Sequence, residues 1–323
     1  APLAKQYSCP LPLDYLDPEK SARAIADFAQ KTPVGAILSA DDSATVLAAQ
    51  ASASLGLRHN SPEAAAAAQD KYRMRQLFAE SNVPSPRFRL FSLRDDPEEI
   101  ADEIEYPCVI KPRRLSGSRG VIRADSPLEF MSAYIRLRNI LDKTGADDFL
   151  VEDFIPGVEV ALEGILDGGK LKVLALFDKP DPLDGPFFEE TIYVTPSRLP
   201  ADTQRAIADV AARAAAALGL REGPCHAEVR VNDRGAWMVE IAGRSIGGLC
   251  SRTLRFGTDM SLEELILRQT FGMEIESAER EKGAGGVMMI PIPTAGTLLG
   301  VDGVKEAESV EGIESVEITA KVN

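Results

Sequence analysis

Glu228 and Glu240 lie twelve residues apart in H-A-E-V-R-V (226–231) and A-W-M-V-E-I (236–241), two alternating runs joined through Asn232-Asp233-Arg234-Gly235. That pattern predicts a β-hairpin. A two-residue turn at Asp233-Arg234 lacks the glycine or asparagine that primed turns favour, whereas a three-residue loop would put Gly235 at its left-handed position. This loop pairs Asn232 with Ala236, Val231 with Trp237, Val229 with Val239 and Ala227 with Ile241. One face is then apolar, and the other carries His226, Glu228, Arg230, Met238 and Glu240, with the two glutamates opposite each other. Like charges across a ladder repel, so a cation is expected between them. Two carboxylates completed by water and phosphate oxygens suit magnesium.

Other residues suit phosphate. P-C-V-I-K-P (107–112) is an apolar strand ending in Lys111, a charge that needs an anionic partner in such surroundings. R-R-L-S-G-S-R-G-V-I (113–122) follows, and the backbone N–H groups of a Gly/Ser loop can form a concave anion site. Strands flank this loop and G-K-[ST] is absent, which excludes the Walker and dinucleotide motifs and favours a flap over a triphosphate. Lys71, in Q-D-K-Y-R-M-R, reads alone as a solvated helix charge. V-E-D-F-I-P-G-V-E-V (151–160) passes from strand to strand through Pro-Gly, offering the apolar slot, backbone groups and carboxylate that adenine and ribose need.

The elements that must position these residues start with V-G-A-I-L-S-A-D-D (34–42), an expected buried strand, and a helix over 43–54. That unit suits an α/β layer with a parallel sheet. Helices are expected at 62–81, 96–104, 126–141, 201–218 and 261–271. Strands are expected at 88–91, 107–112, 148–153, 158–166, 170–177 and 187–194. From Gly283 onward the chain is rich in Gly and Val, with short strand-like runs. The domains expected are an N-terminal α/β layer (1–70), a nucleotide domain (71–275) whose lid spans about 86–155, and a C-terminal segment (276–323). The 323 residues suffice for such cores, with 45% hydrophobic and 27% charged residues. The net charge of −14 argues against nucleic acid or anionic membrane as main partner. No apolar run reaches membrane-spanning length. Cysteines 9, 108, 225 and 250 lack metal or disulfide spacing, so a reducing cytoplasm is expected. Only His59 and His226 are present, which weakens histidine-based hydrolase readings.

Taken in order, D-K-Y-R-M-R, P-C-V-I-K-P, S-G-S-R-G-V, V-E-D-F-I-P-G-V-E-V, H-A-E-V-R-V and V-E-I-A-G-R-S-I-G-G resemble the ATP-grasp superfamily over about residues 70–272, and within it the carboxylate–amine ligases, including L-amino-acid ligases. The resemblance implies the α/β ATP-grasp fold (α+β in its central part), ATP, one or two magnesium ions, small-molecule carboxylate and amine substrates, and a homodimer as one arrangement. By position it implies phosphate-binding roles for Lys71 and Lys111, and a mobile flap over Ser116, Gly117, Ser118 and Gly120. Glu152, Asp153, Phe154 and Ile155 match the adenine linker, Glu159 the ribose acid, and Glu228 and Glu240 the magnesium acids. Arg244 matches the arginine that steadies the acyl phosphate. Ala242 stands where many relatives have a metal-ligating Asn, which leaves a second ion open. The ends look clipped, with a first strand before residue 15 and a closing C-terminal segment missing. The loop 177–190 is expected to line a substrate pocket, with Glu189 or Glu190 holding an ammonium. A biotin-carboxylase-like enzyme and a non-catalytic ATP-binding regulator are the alternatives.

Overall fold

The computed structural model describes residues 11–15, 17–292 and 296–320. Residues 1–289 form one compact unit and 290–323 a second. In chain order the elements are α1 (Pro18–Ala29), α2 (Thr45–Ser54), α3 (Pro62–Gln69), α4 (Lys71–Glu80), β1 (Phe88–Ser92), α5 (Pro97–Glu103), β2 (Cys108–Pro112), β3 (Ile122–Ala124), α6 (Pro127–Leu141) and β4 (Asp148–Asp153). Then follow β5 (Val158–Asp167), β6 (Lys170–Asp178), β7 (Ile192–Thr195), α7 (Ala201–Leu218), β8 (Gly223–Asn232), β9 (Gly235–Ala242), β10 (Arg255–Phe256), β11 (Met260–Ser261), α8 (Leu262–Thr270), β12 (Gly285–Met288) and, in the second unit, α9 (Val304–Glu308).

Two antiparallel sheets position the site. The smaller has the order β1-β4-β2-β3 and the larger β12-β7-β6-β5-β8-β9. Helix α6 covers the smaller sheet because Phe130, Ala133, Leu137 and Leu141 recur at helical spacing and are buried against Ile110, Phe149 and Val151. Burying each large side chain of this kind contributes about 1.5–3 kcal/mol. Helix α7 does the same for the larger sheet, placing Ile207, Val210, Ala211 and Ala214 over Leu162, Val229, Met238 and Ile241. Strand β5 is buried on both sides: Val160 and Leu162 face that core, while Ala161 and Ile165 face a second one under α8. Glu159 and Glu163 alternate onto that second face.

Three expectations need correcting. No strand forms over 34–42, where the chain is unpaired and only partly buried. A strand persists only where a neighbour satisfies its backbone groups, and among the described residues none lies beside this segment. Every described strand pair is antiparallel, so the parallel layer expected there is absent from the described residues. The expectation that a first strand is missing before residue 15 falls largely on residues 1–10, outside the described residues. The helix expected over 62–81 is two helices broken at Asp70. Asp70 leaves helical geometry to accept hydrogen bonds from the backbone N–H of Tyr72 and Arg73, and Arg113 and Arg114 hold its carboxylate. The strand expected over 187–194 is reduced to Ile192–Thr195. Among the described residues, no helix is long and apolar enough to cross a membrane.

Candidate active site

The glutamate hairpin forms with its two acids directly opposed, Glu228 pairing with Glu240, Ala227 with Ile241 and His226 with Ala242. Its turn end differs from expectation. Asn232 pairs with Gly235, Val231 with Ala236, Arg230 with Trp237 and Val229 with Met238, and a bulge between Glu228 and Val229 takes up the extra residue. Asn232 makes the shorter turn workable, because its Oδ1 accepts from the backbone N–H of Arg234 at 2.9 Å. The bulge reverses two faces. Met238 enters the core, with no exposure, and Val239 leaves it. The Val239 carbonyl then accepts from Arg75 Nη2 at 2.6 Å.

Two charge clusters meet at this pair. In the first, Lys71, at the start of α4, donates from Nζ to Glu240 Oε1 at 3.0 Å and to the Leu115 carbonyl at the base of the Gly/Ser loop at 2.7 Å. One helical turn on, Arg75 lies against Glu152, Nε 2.9 Å from Oε1. Lys111 reaches the same carboxylate at 2.5 Å. Burial would raise the Glu152 pKa, but Arg75 and Lys111 outweigh it and hold the carboxyl below its usual range. Lys111 moves to about 8, because burial and the neighbouring Arg75 and Lys71 outweigh its one carboxylate. Glu240 is lowered, since Lys71, Lys111 and Arg75 together exceed the effect of burial.

The second cluster surrounds Lys179, at the end of β6. Its Nζ donates to Glu159 Oε1 at 2.8 Å and to Glu190, and stands 3.5 Å from Glu228 Oε1. Arg230 donates to the other Glu159 oxygen at 3.0 Å and to the carbonyls of Ile155 and Leu183. Burial would lower the Lys179 pKa, yet Glu228, Glu159 and Glu190 drive it well above the ordinary value. The expected cation next to the glutamate pair is thus supplied on each side by a lysine, Lys71 for Glu240 and Lys179 for Glu228. His226 lies between Glu228 and the fully buried Glu163, 3.8 and 3.5 Å from their oxygens.

The other expected residues are arranged around these clusters. Asp153 turns outward to Arg87 at 2.6 Å. Phe154 is flanked by the guanidiniums of Arg123, 4.0 Å from its ring centre, and Arg230, 5.0 Å away. Ile155 is buried. Gly117, Ser118 and Gly120 adopt φ values of 64°, 52° and 82°, a left-handed path that aims backbone groups off the strand axis. Ser116 and Gly117 are exposed. Arg244 binds Asp42 Oδ2 at 2.7 Å, joining the site to the loop before α2. Lys71, Lys111, Glu152, Glu159, Glu228 and Glu240 therefore converge, whereas Asp153 and the flap residues make no contact with that cluster beyond Leu115. A cavity of about 920 Å³ opens between α6 and residues 184–187 of the expected substrate loop, and none of the expected nucleotide, metal or catalytic residues lines it.

Sequence reasoning missed Arg75, Lys179 and Asp42, and gave Arg230 no role. Arg75 was detectable as the i+4 partner of Lys71 on one helix face. Lys179 stands one residue past the apolar run V-L-A-L-F, after Asp178, whereas Lys111 directly follows V-I, so the signal for Lys179 is weaker. No local signal pairs Asp42 with Arg244, 202 residues away.

Chemically, facing carboxylates can hold a hard divalent ion, and buried ammonium groups beside a backbone nest can neutralise polyphosphate. Comparison with known proteins agrees with this chemistry. Residues 104–253 match the ATP-grasp domain family. The alanine–anticapsin ligase of Bacillus amyloliquefaciens is 28% identical over 265 residues, 75% of this chain and 56% of that protein. A D-alanine–D-alanine ligase of Aromatoleum aromaticum is 28% identical over 160 residues, 49% of this chain and 50% of that protein. The chain thus spans about half the length of these curated relatives. The crystal structure of an L-amino acid ligase from Bacillus licheniformis superposes with a TM-score of 0.75 at 25% identity, covering 92% of this chain and 73% of that one. The domain match over residues 104–253, the relatives and the fold agree in a likeness to ATP-grasp proteins, and within them to the carboxylate–amine ligases.

Proposed function

We propose that the protein is an ATP-dependent ligase that joins a small-molecule carboxylate to an amine through an acyl phosphate, releasing ADP and phosphate. The observation that carries this reading is the opposed pair Glu228 and Glu240, set beside Lys71 and Lys111 and four residues before Arg244. A hard all-oxygen donor pair of this kind fits magnesium, which would offset charge on the β- and γ-phosphates when bound. Lys71 and Lys111 hold the phosphates, and the backbone of Ser116–Gly120 closes over them. Phe154 and Ile155 provide the adenine slot.

Arg244 presents a planar fork to the oxyanion that forms when the amine attacks. Its Nη2 binds the Asp42 carboxylate at 2.7 Å, while Nη1 donates to the Ser245 carbonyl at 2.9 Å. The loop 177–190 lines the substrate side, where the exposed Glu189 can receive an ammonium, Glu190 being held by Lys179. The free, buried thiols of Cys108, Cys225 and Cys250 support placing the protein in a reducing cytoplasm.

The test is ATP-dependent phosphate release across a panel of amino-acid pairs, with bicarbonate as a separate arm. Release that requires both a carboxylate and an amine, with a dipeptide-like product by mass, is the expected result. Release with bicarbonate alone would establish a carboxylase instead. No release with any pair, alongside intact ATP binding, would establish a regulator.

A further inference from the structure

Three carboxylates, Glu159, Glu190 and Glu228, each offer an oxygen within 4.8 Å of the others, the spacing of a metal centre. Glu228 belongs to the proposed metal pair, so the cluster could draw an ion away from Glu240. The structure holds a second, independent feature at this point. The ammonium of Lys179 sits among the three acids, its side chain only 3% exposed, bonded to Glu159 and Glu190 and 3.5 Å from Glu228. Tyr193 lies beneath it, with its ring centre 5.2 Å from Nζ. Pro180 follows Lys179 directly, and β6 anchors the residues before it, so the backbone delivers the ammonium to one place.

The charges explain what this ammonium does. Glu159 is shared by Lys179 and Arg230, and so is neutralised twice. Glu190 contacts Lys179 directly, while Glu228 lies farther off, with about a fifth of its side chain exposed. Of the three acids, Glu228 is thus the least engaged and the best able to turn toward Glu240. Ala242, two residues past Glu240, is buried and contributes no side-chain ligand. We propose that Lys179 is a built-in monovalent cation that closes the Glu159–Glu190–Glu228 cluster to metal ions, confining divalent-ion binding to the Glu228–Glu240 pair and limiting it to one ion. Lys179 is in this sense a specificity-determining residue for the metal, and it rests on the reading of Glu228 and Glu240 as the metal acids.

Removing the ammonium should open the cluster. Manganese binding to the full chain, without nucleotide, can be followed by electron paramagnetic resonance of the free ion. Lys179→Met is expected to gain one site that binds manganese at least tenfold more tightly than any site of the unaltered protein. Lys179→Arg, which keeps the charge, should gain none, and Lys179→Met combined with Glu190→Gln should lose the gain. Melting curves with and without manganese cover a variant that is poorly folded. Glu190 and Glu228 left without their ammonium, beside a Glu159 still held by Arg230, should lower the Lys179→Met midpoint, and manganese should restore it, but not in the double variant. A Lys179→Met protein that gains no site, or stays unfolded at every manganese concentration, overturns the proposal. So does a second tight ion in the unaltered protein. Ion binding needs neither substrate nor turnover, so a failed ligase assay beside a gained manganese site would refute the activity and leave this inference standing.

Discussion

At the scale of single residues, the proposed roles separate binding from chemistry. Arg244 lies past the hairpin and contacts Asp42, away from the linker at Phe154 and Ile155. Arg244→Ala should therefore leave ATP affinity nearly unchanged and lower turnover by about 10²–10³, the scale for losing one oxyanion donor. Lysine should restore little, because a point charge lacks the planar fork. Calorimetric titration with ATP beside initial rates checks this, with Lys111→Ala as the contrast that should weaken binding itself. Lys111 also carries a pH signature. Its folded pKa of about 8 lies below the ordinary lysine value of 10.5 because burial and two neighbouring cations disfavour its charge. Between these values the unfolded chain binds the extra proton, so this residue makes the folded state gain stability as pH rises through that window. Nucleotide affinity should move the other way, falling as Lys111 loses its charge above about pH 8. Titration calorimetry at pH 7 and pH 9 measures it, and Lys111→Arg, which stays charged, should flatten the dependence.

At the scale of elements, two antiparallel sheets bring the charged side chains of the site together. Strands β2 and β4 bring Lys111 and Glu152 from the smaller sheet, β8 and β9 bring the acid pair from the larger, and α4 supplies Lys71 and Arg75 between them. Arg75 fixes that arrangement by binding Glu152 in one sheet and the Val239 carbonyl in the other. The loop between β2 and β3 is the least anchored part. Lys71 ties its base at Leu115, but Ser116 and Gly117 are exposed. Hydrogen exchange over 116–120 should thus be fast in the free protein and slow by at least tenfold with ATP and magnesium, as a closing lid requires. Equal exchange in both states would show that this loop does not cover the phosphates.

At the scale of the whole molecule, the segments before residue 70 are fastened to the larger sheet by Ala64 and Ala67 in its core and by a few polar contacts. Asn60 accepts from the backbone N–H of Arg221 at 2.6 Å and of Glu222 at 2.9 Å, and donates to the Glu222 carbonyl at 2.8 Å. Asn60→Ala should lower stability by about 1–3 kcal/mol, because it leaves part-buried backbone groups without partners. Urea denaturation reads this as a lower midpoint at unchanged slope.

The local chemistry of the site was legible in the residues themselves. Alternation identified β8 and β9, and the like charges of Glu228 and Glu240 called for nearby cations, because both are properties of neighbours in sequence. Helices α6 and α7 followed from apolar spacing within one segment. What only the tertiary structure decided depended on distant partners. Residues 34–42 have the composition of a strand but no described neighbour to pair with. Asp70 breaks a continuous helical pattern because Arg113 and Arg114, more than forty residues on, reward it for acting as a cap. The bulge that moves Met238 inward persists because it exposes a carbonyl to Arg75. Lys179 reads alone as an ordinary charge at a strand end, and only the return of the chain through Glu190 and Glu228 turns it into a cation held by three acids. Local pattern reports what each segment can satisfy within itself, while buried charges are settled by whichever partners folding brings within a few ångströms.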